Sequence, residues 1–177
     1  VKSEPITELG SLYYSFKQDL FFTLVNARLQ ELSNQPNPPF SFAYIYNQNW
    51  LKGFNATDCI MFANEGQSEE AFRILITELA RVRQHGFQQA EFERAKQILI
   101  REAEKRVAEK RTVNSEDLIW EILDSVSAGD VVLSVEDYEQ LLKGLINQIA
   151  LSEVNDIVDD VITSENLTLS LAGTAKE

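Results

Sequence analysis

The sequence predicts an α+β fold: a two-layer domain with helices packed on one face of a mostly antiparallel sheet. Three observations predict it. The chain opens with a long helical pattern, two alternating segments follow, and five further helical patterns precede a last alternating segment. Because 44% of the 177 residues are hydrophobic and no linker or repeat divides them, we expect a single domain over residues 1–177.

The first helix is predicted from two neighbouring apolar stripes, and apolar residues on both sides indicate burial between a sheet and other helices. The stripes consist of Leu12, Phe16, Leu20, Leu24 and Ala27, and of Phe21, Val25, Leu29 and Leu32. The helix is expected to stop near Asn34, because Pro36, Pro38 and Pro39 cannot continue it.

Two strands are predicted next. Phe40, Phe42, Tyr44 and Tyr46 alternate with other residues at the spacing of a strand, and 54–63 forms a second strand after a turn at Lys52–Gly53. The two are expected to form a hairpin. Cys59, the one cysteine, lies inside the second strand, and we interpret it as a packed small hydrophobic residue rather than a reactive thiol.

A helix–Gly–helix joint is predicted after the hairpin. Ser68 is expected to cap the first helix, with Glu69 and Glu70 in its positive first turn. Gly86 is expected to end that helix in a left-handed conformation, and a second helix follows at once.

Three more helices are predicted over about 115–128, 134–149 and 152–162. Leu167, Leu169 and Leu171 then alternate with Thr168 and Ser170, which predicts a closing strand.

The composition argues against several partners. The net charge of −12 opposes binding to the phosphates of nucleic acids, so no nucleic-acid partner is expected. No apolar run approaches the roughly 20 residues of a membrane span, so no membrane-spanning segment is expected. The sequence opens at Val1 without an initiator methionine, which favours a segment of a longer chain.

Residues that could carry catalysis or bind a metal are scarce. His85 is the one histidine, so neither H-E-x-x-H nor H-x-x-E-H can occur, and one His with one distant Cys cannot supply the ligands of a zinc site. Instead, His85 precedes a helix-ending glycine, where its imidazole can face the negative end of the helix. We therefore expect no catalytic, metal or cofactor-binding residue in this segment.

Three segments, in order, resemble a repeat of the pitrilysin/insulinase family of zinc metallopeptidases, most closely in the bacterial zinc proteases of the PqqL type. One is Asn26–Leu32 followed by Pro38–Phe40. Another is Arg83–Phe87 with Ala90–Lys96, and the last is Leu151–Asn155.

The resemblance implies a clamshell protease of four homologous repeats, or of two chains with two repeats each. Zinc, held by the H-x-x-E-H motif of the first repeat, would act as the parent protein's cofactor in peptide hydrolysis. Without that motif, this chain resembles a non-catalytic later repeat that shapes the chamber. Its implied partners are the other repeats, including the catalytic one, and the parent's peptide substrate. The implied location is the periplasm or bacterial envelope.

The resemblance also decides which repeat is favoured. In the family's substrate-binding later repeat, an Arg and a Tyr contact the peptide. The corresponding positions here are Ser33 and Phe40, which offer neither a cation nor a phenol. They are therefore interpreted as degenerate substrate-contact positions, and the second repeat is favoured.

Two other functions remain open at this stage. One is a non-proteolytic scaffold or interaction domain of the same fold, and a degenerate H-x-x-E-H upstream would favour it. The other is a freestanding acidic interaction domain unrelated to the family.

Overall fold

One long helix, α1 (Leu9–Ser33), lies at the centre of the fold. The computed structural model describes residues 5–51, 54–112, 114–162, 168 and 170. The helix ends at Asn34, as predicted. It packs on a strand on one side and on further helices on the other, so it is buried on both sides. Seven of its residues belong to the core: Leu12, Phe16, Leu20, Phe21, Leu24, Val25 and Leu29.

The predicted hairpin is confirmed. β1 (Phe40–Leu51) pairs antiparallel with β2 (Phe54–Ala63), and β1 packs on α1. The turn at Lys52–Gly53 lies outside the described residues.

The four alternating aromatic residues of β1 do not share one face. Phe40 is fully buried, whereas Phe42 and Tyr44 are exposed. A register shift between Phe40 and Phe42 places an irregularity at the start of the ladder, and such a bulge changes the face to which the following side chains point. Ala43 and Ile45 therefore face the core in their place.

The helix–Gly–helix joint is also confirmed, with two corrections of detail. α2 (Ser68–His85) has Gln67 as its N-cap rather than Ser68, since the amide of Ala71 bonds the carbonyl of Gln67. Gly86 has a positive φ of 63° with ψ −150°, a region that is essentially restricted to glycine and is not the left-handed helical one. α3 (Gln89–Glu109) begins three residues later.

The remaining helices complete the layer. They are α4 (Ser115–Ala128), α5 (Val135–Leu145) with a 3-10 turn at Ile146–Gln148, α6 (Leu151–Asp156) and α7 (Val158–Val161). The strand predicted over Leu167, Leu169 and Leu171 lies outside the described residues. In the part of the chain that the structure describes, helices pack on two antiparallel strands, and the predicted α+β class is confirmed. None of the described helices is long and apolar enough to cross a membrane.

Candidate functional site

A row of aromatic side chains covers the outward face of the hairpin. The rings of Phe42 and Tyr44 stack with centroids 6.2 Å apart, and those of Tyr44 and Tyr46 stack at 6.0 Å. Phe62 on β2 lies beside Phe42, with centroids 5.9 Å apart, and it is 59% exposed. These residues form an apolar wall that an extended peptide could contact.

A groove of about 1530 Å³ follows α1 and is lined by the hairpin and by residues of α3, α5 and α7. Asn26, Gln30 and Ser33 are among its polar residues. The side chain of Asn26 is already engaged: it donates to the carbonyl of Ile45 and accepts from the amide of Ile45, both at 2.8 Å. A neighbouring strand makes this same pair of bonds, so Asn26 closes the edge of β1 at that residue.

Ser33 and Phe40, the predicted degenerate substrate-contact positions, have different surroundings. Ser33 lines the groove at the end of α1, and its hydroxyl donates to the carbonyl of Gln30 at 2.9 Å. Phe40 has no exposed surface and belongs to the core. Their correspondence with substrate-contacting positions remains a prediction from the resemblance.

Arg28 connects α1 to the helix–Gly–helix joint. Its guanidinium bonds both carboxylate oxygens of Glu91, from Nε at 2.8 Å and from Nη2 at 2.9 Å. It also donates to Glu78 at 3.2 Å and to the carbonyl of Gly86 at 3.1 Å. The guanidinium carbon lies 5.0 Å from the ring centre of Phe87. One side chain thus holds together α1, α2, the joint and α3.

Electrostatics confirms that these charges are coupled. Hydrogen bonds from Arg28 hold the pKa of Glu91 below its usual value, and hydrogen bonding to Glu91 raises the pKa of Arg28. Glu91 also accepts from the amide of Gln88 at 2.8 Å, so the same carboxylate caps the start of α3. Glu78 receives a second cation, Arg81, at 2.9 Å.

α6 contacts the helix–Gly–helix joint through Asn155. The amide of Phe87 donates to Asn155 Oδ1 at 3.1 Å. A Cβ atom on Gly86 would lie 2.6 Å from that oxygen, so only glycine leaves room for Asn155. The three segments that carry the family resemblance therefore converge at one point, which we call the Arg28 cluster: Arg28, Glu78, Gly86, Phe87, Glu91 and Asn155.

These segments can be recognised in the sequence, but their convergence cannot be predicted from it. The available signal was a charged residue, Arg28, beside the apolar stripes of α1, but that helix also contains Lys17, Asp19 and Glu31. A buried arginine requires carboxylate partners, and the sequence alone does not show which of the many acidic residues supply them.

The one histidine and the one cysteine lie on different elements, His85 on α2 and Cys59 on β2. His85 is exposed in the last turn of α2. Cys59 is exposed on β2, so the expectation that it packs into the core is wrong; desolvation nevertheless raises the pKa of its thiol to about 11, which disfavours the reactive thiolate. Within the part of the chain that the structure describes, no three His, Cys, Asp or Glu residues are grouped to hold a metal ion.

A second polar contact lies between α1 and α5. The hydroxyl of Tyr138 donates to Asp19 at 3.4 Å, and the rings of Phe16 and Tyr138 meet edge to face at 5.6 Å. The pKa of Asp19 is raised to about 6. Burial makes the largest contribution, the bond from Tyr138 opposes it, and the charge of Glu102 adds to the rise. The fold therefore disfavours the charged form of Asp19.

This arrangement predicts a pH dependence of stability. Since the pKa of Asp19 in the fold lies above its ordinary value of 3.8, the contribution of this group improves as the pH falls through about 6. We expect Asp19→Asn to raise the free energy of unfolding by about 1–3 kcal/mol at pH 8 and to have little effect at pH 4. Urea unfolding across this range measures it, with the exposed Asp156→Asn as control. A gain that is the same at both pH values would contradict the assignment.

Solved structures of proteases share this fold. The periplasmic protease PqqL from Escherichia coli matches with a TM-score of 0.80 and 20% identity, over 91% of this chain and 18% of PqqL. The structure of the first half of PqqL gives the same score over 35% of its length. A predicted insulinase family protease from Yersinia pestis matches with a TM-score of 0.73 and 19% identity, over 90% of this chain and 35% of that protein.

Curated relatives are also peptidases. The chloroplastic stromal processing peptidase of Pisum sativum is 24% identical over 144 residues, and that of Arabidopsis thaliana is 20% identical over 153 residues. The chain spans only 12% of the length of either relative. No family model matches the chain. The resemblance to the PqqL and insulinase type of protease is therefore confirmed in the fold, across most of the chain.

Proposed function

We propose that this chain is a non-catalytic, chamber-forming repeat of a zinc metalloendopeptidase of the pitrilysin/insulinase kind. The observation that carries the proposal is the match of its fold to protease structures over 91% of its length. The peptide bond would be cleaved by a zinc-bound water whose ligands lie in another repeat. The described residues of this chain do not fit a zinc site, so we assign them no catalytic step.

The Arg28 cluster supports a structural role. It lies at the convergence of the three segments that carry the resemblance, and its charged groups are engaged with one another rather than presented to a ligand. The cluster fixes the angle between α2 and α3 relative to α1. On the other side of α1, the groove and the aromatic row are the surfaces that could line a peptide chamber.

The match to the first half of PqqL supports the second repeat, since that half would contain the first and second of four repeats. For location, we propose the bacterial periplasm, on the analogy of PqqL. The two plant relatives are chloroplastic, so a compartment of that kind is the alternative.

A zinc measurement tests the proposal directly. Calorimetric titration of the isolated chain with Zn²⁺ is expected to show no stoichiometric submicromolar site, because one His and one distant Cys cannot form one. In the full-length parent, deletion of residues 1–177 is expected to abolish peptide cleavage while most of the bound zinc is retained.

Three outcomes would count against this reading. A tight one-to-one zinc site on the isolated chain would place metal chemistry here. Unchanged cleavage after the deletion would remove the chamber role. A full-length protein that binds no zinc and cleaves no peptide would favour the scaffold alternative instead.

A further inference from the structure

The apolar side of α4 faces solvent. Ile119, Ile122, Leu123 and Val126 follow the spacing of one helix face, and Trp120 lies beside them. All five are large hydrophobic residues with exposures between 39% and 60%. A surface helix of a finished domain turns this face toward the core, so its orientation here indicates a missing partner.

Hydrogen bonds just after the C-terminal end of α4 join it to the rest of the fold. None of the described side chains of α4 is buried. Just after the helix, the amide of Val131 donates to the carbonyl of Ile6 at 2.8 Å, and the amide of Ile6 donates to Asp130 at 2.7 Å. The C-terminal end of α4 is thereby fixed to the segment before α1, and the apolar face is left uncovered.

We propose that this face, Ile119, Trp120, Ile122, Leu123 and Val126, docks against another repeat of the same polypeptide, on an apolar surface surrounded by lysine and arginine. The proposal rests on the proposed function, because it takes the chain to be one repeat of a longer protein. A longer protein of this kind would contain enough further residues to cover the face, since the chain spans only 18% of PqqL.

The charge of α4 and of the whole chain indicates which kind of surface would bind the apolar face of this helix. The sequence of α4 contains four acidic residues and no basic residue, and the whole chain has a net charge of −12. Contact between two copies of this helix would bring like charges together, and an anionic lipid surface would be repelled in the same way. An apolar contact flanked by cations gains both burial and charge complementarity.

Photo-crosslinking in the full-length protein tests the proposal. Trp120 is replaced with the photoreactive residue benzoylphenylalanine, and crosslinked peptides are identified by mass spectrometry. We expect a crosslink within the same polypeptide, outside residues 1–177, to a segment that contains lysine or arginine. The matched control places the same photoreactive residue at Ile76, an exposed hydrophobic residue of α2, where no such crosslink is expected.

Two further arms separate the alternatives. Mixing isotopically heavy and light protein distinguishes a contact within one chain from a contact between copies. Leu123→Asp in the crosslinking background is expected to reduce the yield at least tenfold, whereas Ile76→Asp leaves it unchanged. Higher ionic strength is expected to lower the yield, because the flanking charges attract one another.

Several results would overturn the docking proposal: no crosslink from Trp120, a crosslink only between copies, capture only on anionic vesicles, or a partner segment without cationic residues. Zinc content and peptide cleavage of the same preparation are measured in parallel. An absent crosslink in an active zinc enzyme refutes the docking alone. A crosslink between repeats in a protein without zinc or cleavage refutes the proposed function alone.

Discussion

Replacing Arg28 with Met is expected to lower the free energy of unfolding by about 3–5 kcal/mol. Arg28 is 14% exposed at its side chain and neutralises two carboxylates from different helices, Glu78 and Glu91. Methionine retains an unbranched stem that can pack on Phe87, but it removes the charge and all of the donors. Glu91 would lose its bidentate partner while partly buried, and Glu78 would keep only Arg81. Poorly compensated buried charge is what makes the loss large. Urea unfolding at pH 7 measures it.

A surface arginine provides the matched control. Arg73 bonds Glu69 one helical turn away, at 2.8 Å, but its side chain is 67% exposed. Arg73→Met is expected to cost only about 0.3–0.5 kcal/mol, because solvent screens such pairs. If Arg28→Met and Arg73→Met lower the free energy of unfolding by the same amount, the Arg28 cluster does not organise the fold.

The pH dependence gives an independent check on the same cluster. Arg28 holds the pKa of Glu91 below its usual 4.5, so this pair stabilises the fold above that value and the contribution is lost as the pH falls through the lowered pKa. The difference between the wild type and Arg28→Met should therefore shrink in acid. Adding Glu78→Gln and Glu91→Gln to Arg28→Met should recover much of the loss at pH 7, since both carboxylates are then neutral. The cation that loses Glu78 is Arg81, whose side chain is 58% exposed and solvated.

Local signals were sufficient for most of the helices. The end of α1, before the proline run, and the bounds of α4 could be predicted from the sequence. Helix periodicity and helix breakers act within a few neighbouring residues. The hairpin followed for the same reason. A residue of positive φ at position 86 could be expected to require glycine, although the ψ angle of −150° could not be predicted.

The faces of the strands were less predictable. A bulge after Phe40 changes which side chains of β1 face the core, and sequence alternation alone does not show where a ladder is irregular. Cys59 was expected in the core because it lies in an apolar strand. Cys59 is exposed because, among the described elements, α1 packs mainly on β1.

The contacts of the Arg28 cluster could not be predicted from the sequence, for a different reason. Arg28 is separated in sequence by 50 residues from Glu78 and by 63 from Glu91. Contacts of this range are set by how whole helices pack, and no local pattern encodes them. The family resemblance indicated that the three segments are part of one repeat. Only the folded structure shows that the Arg28 guanidinium joins α1 to α2, the joint and α3.

Replacing Gly86 with Ala is the second change with a large expected effect. Its φ of 63° with ψ −150° would strain any residue with a Cβ atom, at a cost of about 1–3 kcal/mol. The new Cβ would also lie within 2.6–2.9 Å of the three amide atoms of Asn155. If Asn155 moves away, the amide of Phe87 loses its acceptor, which adds about 1–3 kcal/mol. We expect a total loss of about 3–5 kcal/mol in urea unfolding.

Gly144 separates this mechanism from a general effect of adding a methyl group. It lies within α5, and nothing would approach a new Cβ there within 4 Å. Gly144→Ala is therefore expected to stabilise the chain by about 0.5–1 kcal/mol, because alanine loses less backbone entropy in a helix. Asn155→Ala removes the collision but not the backbone strain, so combined with Gly86→Ala it should cost less than the sum of the two single changes. A fully additive pair would show that Gly86 and Asn155 do not interact, and a collision with Asn155 would then not explain the loss in Gly86→Ala.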